Sequence, residues 1–420
     1  MNTKKIKSFN LYSLVFFAFL VIILMASLER WTYYINLLYI VLVVLVVIMG
    51  KHLHISWMRA LWALYLLIYP VISYHLLNDE ALLTFSLPYI SIILLLLLVD
   101  ARLDQYKMVR IAFIGFAAFQ VFGFMLQATF EGLYISIAWR LLGRWSYAVG
   151  GFTTDRTVAA FIVGVGIVAT VSSLLENQSK SKSTLLQWIL LAFLNLGLLL
   201  STKRTIFVVV LLIELVMYVE SSKNPTKVLK RMLLVLLAVT VLIGACVIVY
   251  NTSGASNIFG RLGYTLIGYI NGEDVSSSRE AGYEFMHGLW DASDNTRFFG
   301  IGWRNVQNML GRLGHGVYRE ILCETGYVGL VVYIALIAMT FIHTTKNFVK
   351  LKKQGTMFQL SLIRISFYTQ ILFLLYSITG NAIYDSYCYL FYFMAIAINL
   401  SLSYYVRNGA VKKYGRVRSI

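Results

Sequence analysis

Charged residues are scarce in this sequence. They make up 13% of the 420 residues, whereas a soluble protein usually has about 25%. Hydrophobic residues make up 59%. This balance excludes an ordinary soluble protein. Because about 20 apolar residues form a helix that crosses a bilayer, about a dozen spans would account for the hydrophobic residues and leave mostly short loops.

Proline and cysteine are also scarce. The chain has three prolines, so few helices should be broken by that residue. Its cysteines, Cys246, Cys323 and Cys388, lie far apart without a CxxC or Cys/His spacing, so neither a zinc site nor a disulfide framework is expected. The motifs GxxxxGK[ST] and HExxH are absent. Asp291 and Asp294 have the spacing of a diphosphate–metal motif, but we interpret them as solvated acids and predict no metal and no cofactor.

Long apolar runs are abundant and predict an all-α, polytopic integral membrane protein. A membrane region of nine spans (1–250) is followed by one large extracytoplasmic loop (251–327) and by three further spans with a basic tail (328–420). The predicted spans are 11–28, 33–49, 60–76, 82–99, 111–130, 158–175, 185–200, 206–219, 232–250, 328–342, 365–379 and 390–404.

The basic residues indicate the orientation of these spans. Lys and Arg number 24 on the side that holds both termini and 12 on the opposite side, which together account for all 36. Because cytoplasmic loops carry the excess of Lys and Arg, both termini are predicted to be cytoplasmic. The net charge of +17 is therefore a sign of topology, and no nucleic-acid partner is predicted.

Arginine and lysine are distributed differently across the predicted membrane. Only one of 17 lysines, Lys203, falls outside, whereas 11 of 19 arginines do. Lys and Arg contribute equally to membrane orientation, so the preference for Arg on the external side requires another explanation. Arg presents a planar fork that binds phosphate or carboxylate at two points. The alternative is that these arginines pair with the 14 external acids.

Two stretches carry a resemblance to a known family. The sequence LLLSTKRTIFV at 198–208 ends an apolar run with a basic turn, and the large loop ends with SSSRE, FFGIGWRN and HGVYREILCETGYVGLVVY. These stretches resemble the O-antigen polymerase and ligase superfamily, the Wzy-type polymerases of bacterial surface polysaccharides. The sequence departs from the family pattern at Trp303, Gly316 and Arg319. The residues that match it are Arg204, Arg279, Gly300, Gly302, His315, Tyr318, Leu322, Glu324, Gly326 and Gly329.

The resemblance implies a fold and an activity. The fold would be a helical membrane fold of the GT-C type, in a bacterial cytoplasmic (inner) membrane. The activity would be transfer of a glycan from a polyprenyl diphosphate onto the next lipid-linked repeat unit, without a metal. The implied partners are the polyprenyl-diphosphate-linked oligosaccharide, the lipid bilayer, and a flippase and a chain-length regulator of the same pathway.

The arginines are the predicted diphosphate ligands. Breaking a sugar–diphosphate bond develops negative charge on the departing diphosphate, so cations must be directed at it. Arg204 lies at the predicted membrane surface, and Arg279 lies on the loop above it. We assign Arg319 to the same role and Lys203 to a supporting one. The alternatives are that Arg204 and Lys203 cap an external turn and that Arg279 pairs with nearby glutamates.

His315 is the predicted catalytic base, since the acceptor hydroxyl must lose a proton. If a helix starts at Gly316, the positive end of its dipole and Arg319 both disfavour the imidazolium form, which keeps His315 able to accept a proton. On that helix Glu320 would face about 140° away. Glu320, Glu324 and Tyr318 are predicted to support the site.

Two other functions are kept as alternatives. One is a polysaccharide ligase of the same superfamily, which would move the finished chain onto a different acceptor. The other, of a different class, is a flippase for lipid-linked oligosaccharides. A flippase should have ionisable groups along a path through the membrane, but Glu214 is the only acid within a predicted span. This favours the enzyme.

Overall fold

The computed structural model describes thirteen parts of the chain, which are residues 41, 56–77, 106–142, 150–153, 155–176, 182–222, 224–254, 258–271, 279–303, 305–311, 314, 316–380 and 386–407. These parts form fourteen helices and contain no strand. The predicted spans 11–28 and 82–99 lie outside the described residues, as does 33–49 except for Val41.

The first seven helices precede the large loop. They are α1 (Trp57–Leu77), α2 (Tyr106–Thr129), α3 (Glu131–Leu142), α4 (Arg156–Glu176), α5 (Lys182–Leu200), α6 (Arg204–Glu220) and α7 (Pro225–Ser253). The other seven form the loop and the last spans. They are α8 (Ile258–Ile270), α9 (Arg279–Asp291), α10 (Asp294–Phe299), α11 (Asn305–Leu310), α12 (Val317–Gln354), α13 (Met357–Thr379) and α14 (Ser386–Arg407).

The structure confirms the all-α prediction for the residues it describes. The nine predicted spans that it covers all lie on helices, namely α1, α2, α4, α5, α6, α7, α12, α13 and α14. Five of these helices, α2, α4, α7, α12 and α13, are long and apolar enough to cross a membrane. The total of twelve spans and the GT-C type stay predictions.

Helix α4 forms the centre of the bundle. It packs against α2, α5, α6 and α13. Almost all of its residues from Val158 to Leu174 are buried, as expected for a helix that is apolar on every side. Gly166 permits the approach of α2, since a Cβ atom there would lie 2.2 Å from Cβ of Ala117.

Helix α7 lies at the periphery and packs mainly on α8. Its start follows from the local sequence, because Asn224 caps the helix and Pro225 occupies its first turn. Leu229, Leu233 and Leu237 on this helix are each more than half exposed. Apolar side chains exposed in this way are expected on a helix that faces lipid.

Ion pairs between helices join residues that the sequence assigns to the same side of the membrane. This is expected when the helix ends are level with one another. On the predicted external side, Lys203 pairs with Asp155, with Nζ 3.7 Å from Oδ1. On the predicted cytoplasmic side, Arg110 pairs with Glu176, and Glu220 binds Arg364 and Lys352, each at 3.0 Å.

The two longer loops that the sequence assigns to the external side are substantially helical in their described residues. The predicted interfacial helix at 133–145 corresponds to α3, which buries Tyr134, Ala138 and Leu142 on one face. The large loop contains α8 to α11 and the start of α12. Its predicted first residue, Asn251, instead belongs to α7, which continues to Ser253 and ends at Gly254, where φ is +62°.

Candidate functional site

Two segments of the large loop cross at Gly300 and Gly326, which are both glycines of the family pattern. Gly300 follows α10 with φ +79°, and Gly326 lies within α12 with φ +64°. A Cβ atom on Gly300 would lie 2.2 Å from the carbonyl carbon of Glu324, and one on Gly326 would lie 2.3 Å from that of Phe298. The two backbones are therefore in direct contact, and only glycine fits at either position.

The crossing is held by backbone hydrogen bonds. Gly326 interrupts α12, so the carbonyls just before it lose their partners within the helix. The N–H of Ile301 donates to the carbonyl of Cys323 at 3.0 Å, and the N–H of Gly302 donates to that of Glu324 at 2.9 Å. The turn after α10 thus caps the interrupted helix.

At Gly326 the chain also reverses its direction. Tyr318 and Tyr333 are 15 residues apart, and a continuous helix would separate them by about 22 Å. Their ring centroids are instead 6.5 Å apart. The short arm of α12, residues 317–325, therefore returns alongside the long arm, residues 327–354. This reversal carries the end of the loop back towards the helical bundle.

Both predicted supporting glutamates lie in the short arm and are buried. Glu324 accepts a hydrogen bond from the N–H of Val306 at 3.2 Å. Glu320 accepts one from the N–H of Gly314. Each carboxylate thereby joins the short arm to a segment that precedes it in the chain. The supporting role of the two residues in the site stays a prediction.

The helix predicted after His315 is present. It begins at Val317, and Gly316 is its N-cap with φ +146°. His315 itself lies outside the described residues. The helical projection that placed Glu320 about 140° away does not apply, because Gly316, which follows His315 in the chain, has non-helical backbone angles. The Glu320 carboxylate instead contacts Gly314, the residue directly before His315.

Arg319 lies against α9. Its guanidinium is 3.8 Å from the ring centroid of Tyr283, which is a cation–π geometry. Arg279 is the first residue of α9, one turn before Tyr283, and its side chain is outside the described part of the structure. Two of the three predicted diphosphate ligands therefore come from adjoining positions, the short arm of α12 and the start of α9.

Arg204 belongs to a second group of contacts, at the start of α6. Its guanidinium donates to the carbonyl of Arg261 at 3.1 Å and to the hydroxyl of Thr265. These residues lie on α8, so Arg204 joins the first helix of the large loop to the bundle. Lys203 precedes it as the N-cap and reaches Asp155.

Asp291 and Asp294 both form ion pairs with Arg297. Nε of Arg297 lies 2.7 Å from Asp291, and its Nη1 lies 3.1 Å from Asp294. The hydrogen bond from Arg297 holds the pKa of Asp291 below its ordinary value of 3.8. Among the residues described, no group of three or more His, Cys, Asp or Glu side chains is placed to hold a metal ion. Arg297 fits the alternative in which external arginines pair with acids.

Tyr283 was not among the predicted site residues. In the sequence it is one of several aromatics of the large loop, and its position four residues after Arg279 on a helix places both on one face. Glu214, the acid within a predicted span, accepts a hydrogen bond from Asn195 on α5 at 3.0 Å. It is therefore a core residue paired with a neighbouring helix.

Comparison of the chain with protein-family models and with curated protein sequences gives no match.

Proposed function

We propose that the chain is a membrane glycosyltransferase that polymerises repeat units linked to polyprenyl diphosphate on the outer face of the cytoplasmic membrane. The proposal begins from the resemblance of the loop motifs to the Wzy-type polymerases. It also uses the predicted orientation, in which these motifs are external.

The observation that carries the proposal is the reversal of α12 at Gly326. It returns Arg319 and the segment around Gly316 towards the bundle, where the lipid-linked diphosphate of a substrate would lie. Arg319 lies against the helix that Arg279 begins. Cations at this position would stabilise the charge that develops on a departing diphosphate.

His315 is the base of the proposed reaction. It would remove the proton from the acceptor hydroxyl as that oxygen attacks the sugar carbon bound to the diphosphate. The sugar–diphosphate bond breaks, the new glycosidic bond forms, and the polyprenyl diphosphate leaves with the bonding electrons. The arginines supply positive charge to the leaving group throughout, so the reaction requires no cofactor.

The test uses host cells that lack the gene and make polymer only when the chain is supplied. Arg204→Lys and Arg279→Lys should keep normal protein levels but lose most polymer, because a lysine cannot replace a two-point fork. Arg297→Lys is the matched control. It is another external arginine, but it pairs with Asp291 and Asp294, so polymer should be unchanged.

The intermediates separate the proposed function from its alternatives. Loss of a polymerase should leave single lipid-linked repeat units on the outer face. Loss of a ligase should leave long lipid-linked chains, and loss of a flippase should leave single units on the cytoplasmic face. If both lysine variants make full-length polymer, Arg204 and Arg279 do not bind the diphosphate as proposed.

A further inference from the structure

Two adjacent phenylalanines at the end of α10 are exposed. Phe298 is 53% exposed and Phe299 is 60% exposed, although the sequence assigns the large loop that holds them to the water outside the membrane. Single apolar residues are common on protein surfaces, whereas contiguous apolar patches mark sites that bind another protein or a membrane. The neighbours of the two phenylalanines therefore decide what they contact.

The pair lies at the start of the long arm of α12. A Cβ atom on Gly326 would lie 2.3 Å from the carbonyl carbon of Phe298 and 2.5 Å from the amide nitrogen of Phe299. The ring of Phe298 is 6.4 Å from that of Tyr327 between centroids. The predicted span begins at the next residue, Val328. The two phenylalanines are therefore level with the point where α12 is predicted to enter the membrane.

Exposed apolar residues continue from this point along α12. Val328, Val331 and Ile334 are between 45% and 64% exposed, and their spacing of three residues places them on one side of the helix. Because α12 is long and apolar enough to cross a membrane, we expect this side to face lipid. Phe298 and Phe299 extend the same apolar surface onto the large loop.

The aromatic rings beside the pair are of the kind found at membrane surfaces. The ring of Trp290 is 5.2 Å from that of Tyr327 between centroids, and its indole N–H donates to the carbonyl of Arg297 at 3.2 Å. Trp and Tyr gather at the headgroup level of a bilayer because each has an apolar body and a polar end. Phenylalanine has no polar end, so the pair favours the more apolar region next to the acyl chains.

Helix α10 is polar at its start and apolar at its end. Asp294 begins the helix and pairs with Arg297, and the Asp294 side chain is 86% exposed. Phe298 and Phe299 end the helix. Six helical residues span about 9 Å, and the headgroup layer on each side of a bilayer is about 5–8 Å thick. The helix is therefore long enough to have its start in water and its end at the acyl chains.

We propose that Phe298 and Phe299 insert into the adjoining lipid leaflet, at the boundary between headgroups and acyl chains, and so anchor the large loop to the bilayer. The N–H groups of Ile301 and Gly302, in the turn directly after the pair, cap the short arm of α12. The anchor and the short arm are thus joined. A consequence that rests on the proposed function is that the anchor keeps Arg319 at the level of a lipid-linked diphosphate.

The test uses nitroxide labels on single introduced cysteines, with the protein reconstituted into vesicles of phosphatidylethanolamine and phosphatidylglycerol. The three cysteines of the chain are buried, and unsubstituted protein treated in the same way gives the background. Oxygen concentrates in the acyl chains, whereas a water-soluble nickel chelate stays in water. The ratio of oxygen to nickel collisions should be high for labels at Phe299→Cys and at Val331→Cys on the lipid-facing side of α12.

The matched control is Ala292→Cys. Ala292 is exposed and lies two residues before the polar start of α10. Its label should collide mainly with the nickel chelate, so the ratio should be several-fold higher at Phe299 than at Ala292. Both side chains are exposed, so neither change disturbs the core. Phe298→Cys repeats the measurement at the neighbouring ring if the Phe299 variant does not fold.

Two results would overturn the anchor. If the labels at Phe299 and Ala292 have the same low ratio, the phenylalanines lie in water, where they could bind a sugar or a soluble protein. If the Phe299 spectrum is broadened and sharpens on dilution with unlabelled protein, a second copy of the chain covers the pair. Neither measurement involves polymer synthesis, so failure of the anchor is distinguished from failure of the proposed function.

Discussion

Replacing Gly326 by alanine tests whether the two crossing segments are in contact as the geometry indicates. At φ +64° an added Cβ is strained whatever surrounds it, and this costs about 1–2 kcal/mol. The same Cβ would also lie 2.3 Å from the carbonyl carbon of Phe298, and real Cβ atoms essentially never come closer than 3.0 Å to another heavy atom. The segment after α10 must therefore move away.

The movement has a second cost. It separates Ile301 and Gly302 from the carbonyls that they bind across the crossing. Each hydrogen bond contributes about 1 kcal/mol. Together with the backbone strain, the expected loss for Gly326→Ala is about 3–4 kcal/mol, and the reversal that positions Arg319 is lost with it.

Gly311 provides a control with nearly the same backbone angle. Its φ is +65°, but a Cβ there would meet nothing within 4 Å. Gly311→Ala should therefore show the strain alone, about 1–2 kcal/mol. Gly288→Ala, in the middle of α9 with open space around it, should be neutral or stabilising by up to about 1 kcal/mol.

The assay is thermal unfolding of the purified variants in detergent, followed by polymer analysis in cells. Stability should fall in the order Gly288→Ala, Gly311→Ala, Gly326→Ala, and only the last should abolish polymer. Equal stability of the Gly311 and Gly326 variants would refute the reasoning, because the close contact would then contribute nothing beyond backbone strain.

Two further predictions concern the base and the orientation. His315→Ala should accumulate single lipid-linked units at normal protein levels, since losing a general base typically costs about 10²–10⁴ in rate. His315→Gln should be equally inactive, and restored activity would make His315 a residue that orients substrate. Reporter fusions after Asn177, Lys223 and Lys352 should read cytoplasmic, and those after Gly151 and Gly288 should read external. An external reading at Lys352 would place the candidate site on the wrong side.

The helices could be predicted because the signal for them is local. An apolar run of sufficient length specifies a spanning helix wherever it occurs, and the nine predicted spans within the described residues lie on helices. The polar segments were harder. Helices α10 and α11 have six residues each, so they lack the long periodic pattern that identifies a helix.

The reversal of α12 could not be read from the sequence. Residues 317–325 have the composition of a helix that continues into the next span. The break depends on Gly326 meeting Phe298, which is 28 residues earlier in the chain. The family pattern marked Gly300 and Gly326 as glycines, but it did not indicate that the two face each other.

The contacts of the arginines depend on distant residues in the same way. Arg319 and Tyr283 are 36 residues apart, and Arg204 and Thr265 are 61 residues apart. No pattern of spacing along the chain connects such pairs. The sequence indicated which arginines to consider. The structure showed that Arg319 contacts the ring of Tyr283 and that Arg204 donates to the hydroxyl of Thr265.

The contact between Arg204 and Thr265 separates the two interpretations of Arg204. If Arg204 only anchors α8, removing the Thr265 hydroxyl should impair the protein in the same way as changing Arg204. If Arg204 binds diphosphate, the two variants should differ. We expect Thr265→Val to lower stability by about 1 kcal/mol, a value reduced for solvent exposure, and to keep polymer.

Arg204→Lys, by contrast, should lose polymer. Thr252→Val on α7 is the control, because its hydroxyl bonds only within its own helix in the contacts seen, to the carbonyls of Ile248 and Val249, and to neighbouring Ser253. Melting temperature and polymer length are measured for all three variants. If Thr265→Val loses as much polymer as Arg204→Lys, then Arg204 acts through the position of α8, and the diphosphate must be bound by Arg279 and Arg319.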